Sequence, residues 1–160
     1  MTESPHYKEL LQALNDCQVE YLIVGGYAVM KYTEPRYTKD LDVWVDNSPQ
    51  NAARLFHALA KFGAPLQEDG ITPETFTQDG IVYQMGVAPV RIDILTQITG
   101  IEFARAWRSR IASTIFGVSA HFISLEDLVA NKRAAGRSTD LEHLKHIQER
   151  TQEDKSVPKT

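Results

Sequence analysis

Cysteine is almost missing from this chain: Cys17 is the single one among 160 residues. One thiol excludes an internal disulfide framework and suits a reducing compartment, and no C-x-x-C or Cys/His spacing points to structural zinc. Long hydrophobic runs are missing too. The longest uncharged apolar stretch, Tyr21 to Met30, falls far short of the about 20 residues a membrane-spanning helix needs. The N-terminus, Met-Thr-Glu-Ser-Pro-His, has neither the basic flank nor the apolar run of a secretory signal, so the chain reads as a mature, soluble, cytoplasmic protein without a membrane partner. Positive charge is not in excess: 17 Lys and Arg against 21 Asp and Glu leave a formal net charge of -4. That argues against a generic nucleic-acid coat, whose binding rests on neutralising many phosphates, although local basic patches survive the argument. What is present, 42% hydrophobic and 24% charged residues, suits one globular domain with a core that needs no disulfide or metal. Residues 1–150 are expected to form that domain, and the polar, Pro158-containing segment 151–160 a disordered tail.

Helix and strand signals interleave along the chain. Tyr7, Leu10, Leu11 and Leu14 recur at spacings of three and four, which predicts an amphipathic helix ending near Asn15. Val19 to Val24 reads as a buried strand, closed by Gly25-Gly26, with a short helix from Tyr27 to Tyr32. Leu41 to Val45 is β-rich. Ser48-Pro49 then supplies an N-cap and first-turn proline for a helix to about Phe62, stopped by Gly63 and Pro65. Asp79-Gly80, between Thr75-Phe76-Thr77 and Ile81-Val82-Tyr83, is a hairpin signal. Val90 to Leu95 alternates as a strand, with Arg91, Asp93 and Leu95 on one face. Phe103 to Arg110 reads as a helix and Ile111 to Ile123 as two strands broken at Gly117. Ser124 caps a helix to Ala135, Gly136 ends it, and Ser138 or Thr139 opens a last helix through Glu149. The pattern is that of an α/β or α+β sheet covered by helices.

Asp40 and Asp42 are two residues apart, so a strand that begins at or before Asp40 sends both carboxylates out of one face. Two such charges repel, and a divalent cation is the simplest compensation. The plain alternative leaves Asp40 in a loop and Asp42 paired to Lys39 or Arg36. Asp93 lies mid-strand among apolar residues, where an unpaired carboxylate is costly; Arg91, two residues away on the same face, is its plain ion-pair partner. A third strand-borne carboxylate can instead complete an oxygen-rich site for Mg²⁺. Gly25-Gly26 at a helix start offers backbone N–H groups and a positive dipole end to phosphate, or is only a tight turn. Lys132 and Arg133, with Arg137 and Asp140 beyond them, form a basic helix that reads by itself as a solvated face. His143 and His146 read as a polar helix surface, Trp44, Phe56, Phe62, Phe103 and Trp107 as packing, and Ser113, Ser119 and Ser124 lack the context of a serine hydrolase.

Taken together, Val24-Gly25-Gly26, thirteen intervening residues, Asp40-Leu41-Asp42, and then Asp93 between Ile92 and Ile94 resemble the signature of the DNA polymerase beta-like nucleotidyltransferase superfamily. The stretches from Pro35 to Asp42 and from Ser124 to Arg137, followed by Asp140, are similar to its small bacterial branch, which includes abortive-infection and toxin–antitoxin nucleotidyltransferases. The resemblance covers Val19 to Leu144 and lacks the large C-terminal substrate domain of many antibiotic nucleotidyltransferases. It implies a mixed, mostly antiparallel sheet with C-terminal helices, and metal-dependent transfer of NMP from an NTP such as ATP to an acceptor hydroxyl with release of pyrophosphate. Asp40, Asp42 and Asp93 are then the catalytic metal ligands for Mg²⁺ or Mn²⁺, two ions in all. Gly25, Gly26, Arg36, Thr38 and Lys132 bind the nucleotide, with Lys132 at its β or γ phosphate. The implied acceptor is tRNA, a protein or a small molecule such as an antibiotic, and a cognate antitoxin is an implied partner. A non-catalytic nucleotide- or partner-binding module on the same fold is the alternative from another class, and a structural protein with surface ion pairs a further one.

Overall fold

The structure, a computed structural model, describes residues 5–35, 38–86 and 90–156. In chain order its elements are α1 (Pro5–Asp16), β1 (Tyr21–Val24), α2 (Gly25–Tyr32), β2 (Asp40–Val45), α3 (Pro49–Phe62), a 3₁₀ turn (Pro73–Thr77), β3 (Val82–Met85), β4 (Arg91–Leu95), α4 (Phe103–Arg108), β5 (Ile111–Ile115), β6 (Val118–Phe122), α5 (Leu125–Ala135) and α6 (Ser138–Ser156). The caps act where the sequence places them. Ser48 Oγ accepts from the Asn51 amide at 3.2 Å and Ser124 Oγ from the Asp127 amide at 3.1 Å, each satisfying a donor that the helix start leaves open. Gly63 and Gly136 close α3 and α5 in the left-handed conformation, which glycine adopts without steric cost.

The six strands form one sheet in the order β3-β4-β2-β1-β6-β5. The β1/β2, β3/β4 and β5/β6 ladders are antiparallel, and the β2/β4 and β1/β6 ladders parallel. The sheet is therefore mixed and mostly antiparallel, as expected. Strand alternation divides β2 cleanly. Leu41, Val43 and Val45 are fully buried and share a face with Ile92 and Ile94 of β4, whereas Asp40, Asp42 and Trp44 leave the other face. On that second face Trp44 is covered by Phe103 of α4, the ring centroids 5.1 Å apart and edge-on, so core gives way to open cleft within one strand. Buried Asn51 ties the strand ends together. Its carboxamide accepts from the Glu20 amide at 2.8 Å and donates to Glu20 O at 3.1 Å and Asp46 O at 2.7 Å, pairing groups whose burial would otherwise be costly.

Three expectations change. No hairpin forms at Asp79-Gly80: Thr72 to Thr77 closes a capped 3₁₀ turn behind Pro73, and Phe76 is fully buried, 6.1 Å from the Tyr83 ring. Burial of the Phe76 ring takes its apolar surface out of water. β3 pairs with β4 instead, and Thr96 Oγ1 holds the bend by accepting from the Ile81 amide at 2.9 Å and donating to Gln78 O at 2.7 Å. Helix α2 starts at Gly25 rather than Tyr27. Helix α6 passes Glu149 and continues to Ser156, so residues 151–156 are helical where disorder was expected. No glycine or proline occurs between Glu149 and Pro158 to stop it, while residues 157–160 lie outside the described residues. Among the described residues no helix is long and apolar enough to cross a membrane.

Candidate functional site

The parallel β2/β4 register places Asp40 opposite Arg91 and Asp42 opposite Asp93. Because residues two apart share a face, these four side chains occupy the corners of one small grid. Strand β2 does begin at Asp40, which meets the condition for both its carboxylates to point the same way. Asp40, Asp42 and Asp93 each offer an oxygen within 4.8 Å of the others. Arg91 closes the grid. Its Nη2 lies 2.8 Å from Asp40 Oδ2 and its Nε 3.3 Å from Asp93 Oδ1.

The electrostatics of the grid are unfavourable to charge. Burial pushes the Asp42 carboxyl up, the charges of Asp93 and Asp40 push it further, and Lys132 opposes them, which leaves it at about 7. Burial also raises Asp93, against the lowering effect of Arg91. Three crowded carboxylates, with the Arg91 guanidinium beside them among the described residues, make a set of hard oxygen donors that could hold a metal ion.

Gly25 explains how Asp42 fits. The residue has φ +68°, and a Cβ built on it would fall on Asp42 Oδ2. A side chain here would evict the carboxylate, so the glycine makes room for the acid as well as turning the chain. A Cβ on Gly26 would lie 2.8 Å from Thr38 Oγ1, which places Thr38 directly against the start of α2. That start has no side-chain cap, and Val24, Gly25 and Gly26 line the cleft. From beneath, the Tyr7 hydroxyl of α1 sits 3.2 Å from Arg91 O and 3.4 Å from Lys39 O, bracing the two strands at the level of the acids. Burial and the neighbouring carboxylates hold this phenol well above its ordinary pKa, so it stays a donor.

A cleft of about 950 Å³ opens over the grid, walled by α2 on one side and by the α5–α6 corner on the other. Arg133 and Arg137 stay on the solvated face that the composition suggests, but Lys132 does not. Lys132 is only 5% exposed, and its Nζ donates to Asp140 Oδ1 at 3.1 Å. Arg137 Nε donates to Asp140 Oδ2 at 2.7 Å. Burial raises the Asp140 carboxyl, but the hydrogen bonds and charges of Arg137 and Lys132 outweigh it and bring the pKa down to about 2. Gly136 turns the chain so that α6 folds back over α5, which the spacing of Lys132 and Asp140 along the chain does not disclose. His143 lines the cleft with Glu142, whereas His146 lies 4.0 Å from both Glu142 and Glu149 on the helix surface. Of the residues singled out in the sequence, Gly25, Gly26, Thr38, Asp40, Asp42, Asp93 and Lys132 all line this one cleft, and Arg36 lies outside the described residues. Tyr7, the pairing of Asp140 with Lys132 and the bridging role of Arg91 were not legible: Tyr7 reads as one apolar position of an amphipathic helix, and Arg91 as a partner of Asp93 alone.

No curated protein matches the chain. A family model described as a nucleotidyl transferase of unknown function (DUF2204) matches residues 3–158, nearly the whole length and every wall of the cleft. The chain, with its three clustered carboxylates at the mouth of a glycine-led helix, therefore belongs to this nucleotidyl transferase family.

Proposed function

We propose that the protein transfers a nucleoside monophosphate from an NTP to an acceptor hydroxyl, using Asp40, Asp42 and Asp93 as metal ligands. The observation that carries this reading is the β2–β4 register, which gathers three carboxylate oxygens within 4.8 Å beside an uncapped helix start. In this reading Asp40, Asp42 and Asp93 would hold one divalent ion or two, which would supply charge neutralisation for the phosphates and for the in-line transition state. Gly25 and Gly26 offer their amides to the triphosphate. Lys132 and Arg137, both anchored by Asp140, meet its β and γ phosphates. Thr38 lines the phosphate side, and Arg36 is assigned there by resemblance. Asp93, whose carboxyl is raised by burial, takes the proton of the acceptor hydroxyl. The acceptor oxygen then bonds to the α-phosphorus, the bond to the bridging oxygen breaks, and pyrophosphate leaves. The acceptor in this reading is RNA, a protein or a small molecule; a toxin–antitoxin setting rests on the family resemblance alone.

Label transfer tests it. Label from α-labelled but not γ-labelled NTP should reach an acceptor in cell-extract fractions, and the Asp40→Asn/Asp42→Asn double variant should transfer none. Transfer from the γ position, or full transfer by the double variant, rejects the assignment.

A further inference from the structure

The corner of the grid opposite Asp40 is a base. Arg91 Nη2 bonds Asp40 Oδ2 at 2.8 Å and reaches Asp93 Oδ2 at 3.4 Å, while its Nε faces Asp93 Oδ1 at 3.3 Å. One guanidinium thus spans two of the three candidate metal ligands on neighbouring strands: its Nη2 donates to both carboxylates, and its Nε stands within ion-pair range of Asp93 Oδ1 without hydrogen-bonding to it. Two other cations of the cleft, Lys132 and Arg137, are taken up by Asp140. Asp42 alone of the three acids has no bond to Arg91 among the described contacts, and its carboxyl is packed against Gly25. The Arg91 side chain is 37% exposed, so it covers the acids from the solvent side and can leave them without opening the core.

We infer that Arg91 is a built-in counter-cation, which holds Asp40 and Asp93 in the metal-free protein and competes with a divalent cation for the same two carboxylates. The inference rests on the reading of the three acids as metal ligands. A bound guanidinium uses the oxygen lone pairs that a metal needs, and its charge repels an incoming cation at a few ångströms. Metal therefore enters at the expense of the Arg91 pairs. The same residue serves the empty site, because three carboxylates without any counter-charge would repel one another. An ion pair that only organised the strand ends would act with the opposite sign: losing it would loosen the ligands and weaken metal binding.

Mn²⁺ titration followed by electron paramagnetic resonance, combined with metal-free thermal melting, separates the two roles in wild type, Arg91→Gln and Arg91→Lys. Arg91→Gln should bind Mn²⁺ at least tenfold more tightly than wild type while melting at a lower temperature without metal. Arg91→Lys, which keeps the charge but not the planar guanidinium that reaches both carboxylates, should fall between them in affinity. Equal or weaker Mn²⁺ binding by Arg91→Gln, with wild type binding normally, overturns the competitive role and leaves the metal site standing. If Arg91→Gln does not fold, Arg91→Lys decides alone: tighter binding than wild type supports the inference, and equal or weaker binding overturns it. No Mn²⁺ binding by any of the three overturns both this inference and the metal reading beneath it.

Discussion

At φ +68° Gly25 turns β1 into α2 in a conformation that costs an L side chain about 1–2 kcal/mol, and any Cβ there would also fall on Asp42 Oδ2. Gly26 is less constrained, since its Cβ would meet only the Thr38 side chain, which has rotamers to move into. Gly25→Ala is therefore expected to lower stability by about 1–2 kcal/mol and to weaken Mn²⁺ binding by displacing Asp42, with Gly26→Ala the milder of the two. Urea unfolding and Mn²⁺ titration of both variants check this. An alanine at 25 with wild-type stability and affinity would mean that the chain there relaxes and the carboxylate has room elsewhere.

Between elements, the α5–α6 corner joins structure to chemistry through one buried pair. Lys132 and Asp140 have side chains 6% and 1% exposed and lie 3.1 Å apart. The composition of α5 predicts a surface lysine whose loss leaves the fold intact, but burial reverses that expectation. Lys132→Ala should destabilise the protein by about 2–4 kcal/mol, somewhat below the usual cost of orphaning a buried charge, because Arg137 still bonds Asp140. Chemical denaturation provides the measurement. A loss below about 0.5 kcal/mol, the range of an ordinary surface substitution, would show that Arg137 alone compensates Asp140. Any fall in nucleotide affinity in this variant must accordingly be read alongside its stability.

For the whole molecule, Asp42 and Asp140 give stability opposite slopes with pH. Asp42 has its folded pKa raised from 3.8 to about 7, so the folded state binds more protons than the unfolded one in that interval. Its contribution is complete below the unfolded value and is lost as pH rises through about 7. Asp140 has its folded pKa lowered from 3.8 to about 2, so its contribution is present above 3.8 and is lost as pH falls towards about 2. His121, held below its ordinary pKa by burial, opposes the Asp42 slope near its own titration. Comparison of wild type with Asp42→Asn removes that background. Without metal the variant should match wild type near pH 4 and become the more stable protein, by a few kcal/mol at most, as pH approaches neutrality. Mg²⁺ should then stabilise wild type and barely affect the variant. Thermal melts across pH, with and without Mg²⁺, test both statements. An Asp42→Asn variant that melts well below metal-free wild type at neutral pH would make Asp42 a structural partner rather than a strained ligand.

Features set by neighbours along the chain are legible in the residues alone. Ser48, Pro49 and Gly63 bound α3, Ser124 and Gly136 bound α5, and the alternation of β2 and β4 sorts acids from core residues, because caps and strand faces are set within a few residues. The ordered run of Gly25-Gly26, Asp40-Leu41-Asp42 and Asp93 was legible for the same reason. The rest follows from contacts between distant parts of the chain. Whether Asp93 stands beside Asp42, and Arg91 beside Asp40, depends on the register of two parallel strands, which are joined by a long connection and have no turn to set their alignment. Phe76 left the expected hairpin for the core, and Lys132 left the expected surface for a bond to Asp140. In both, the free energy of burying a ring or pairing a charge across distant elements outweighed the local propensity that the sequence displays.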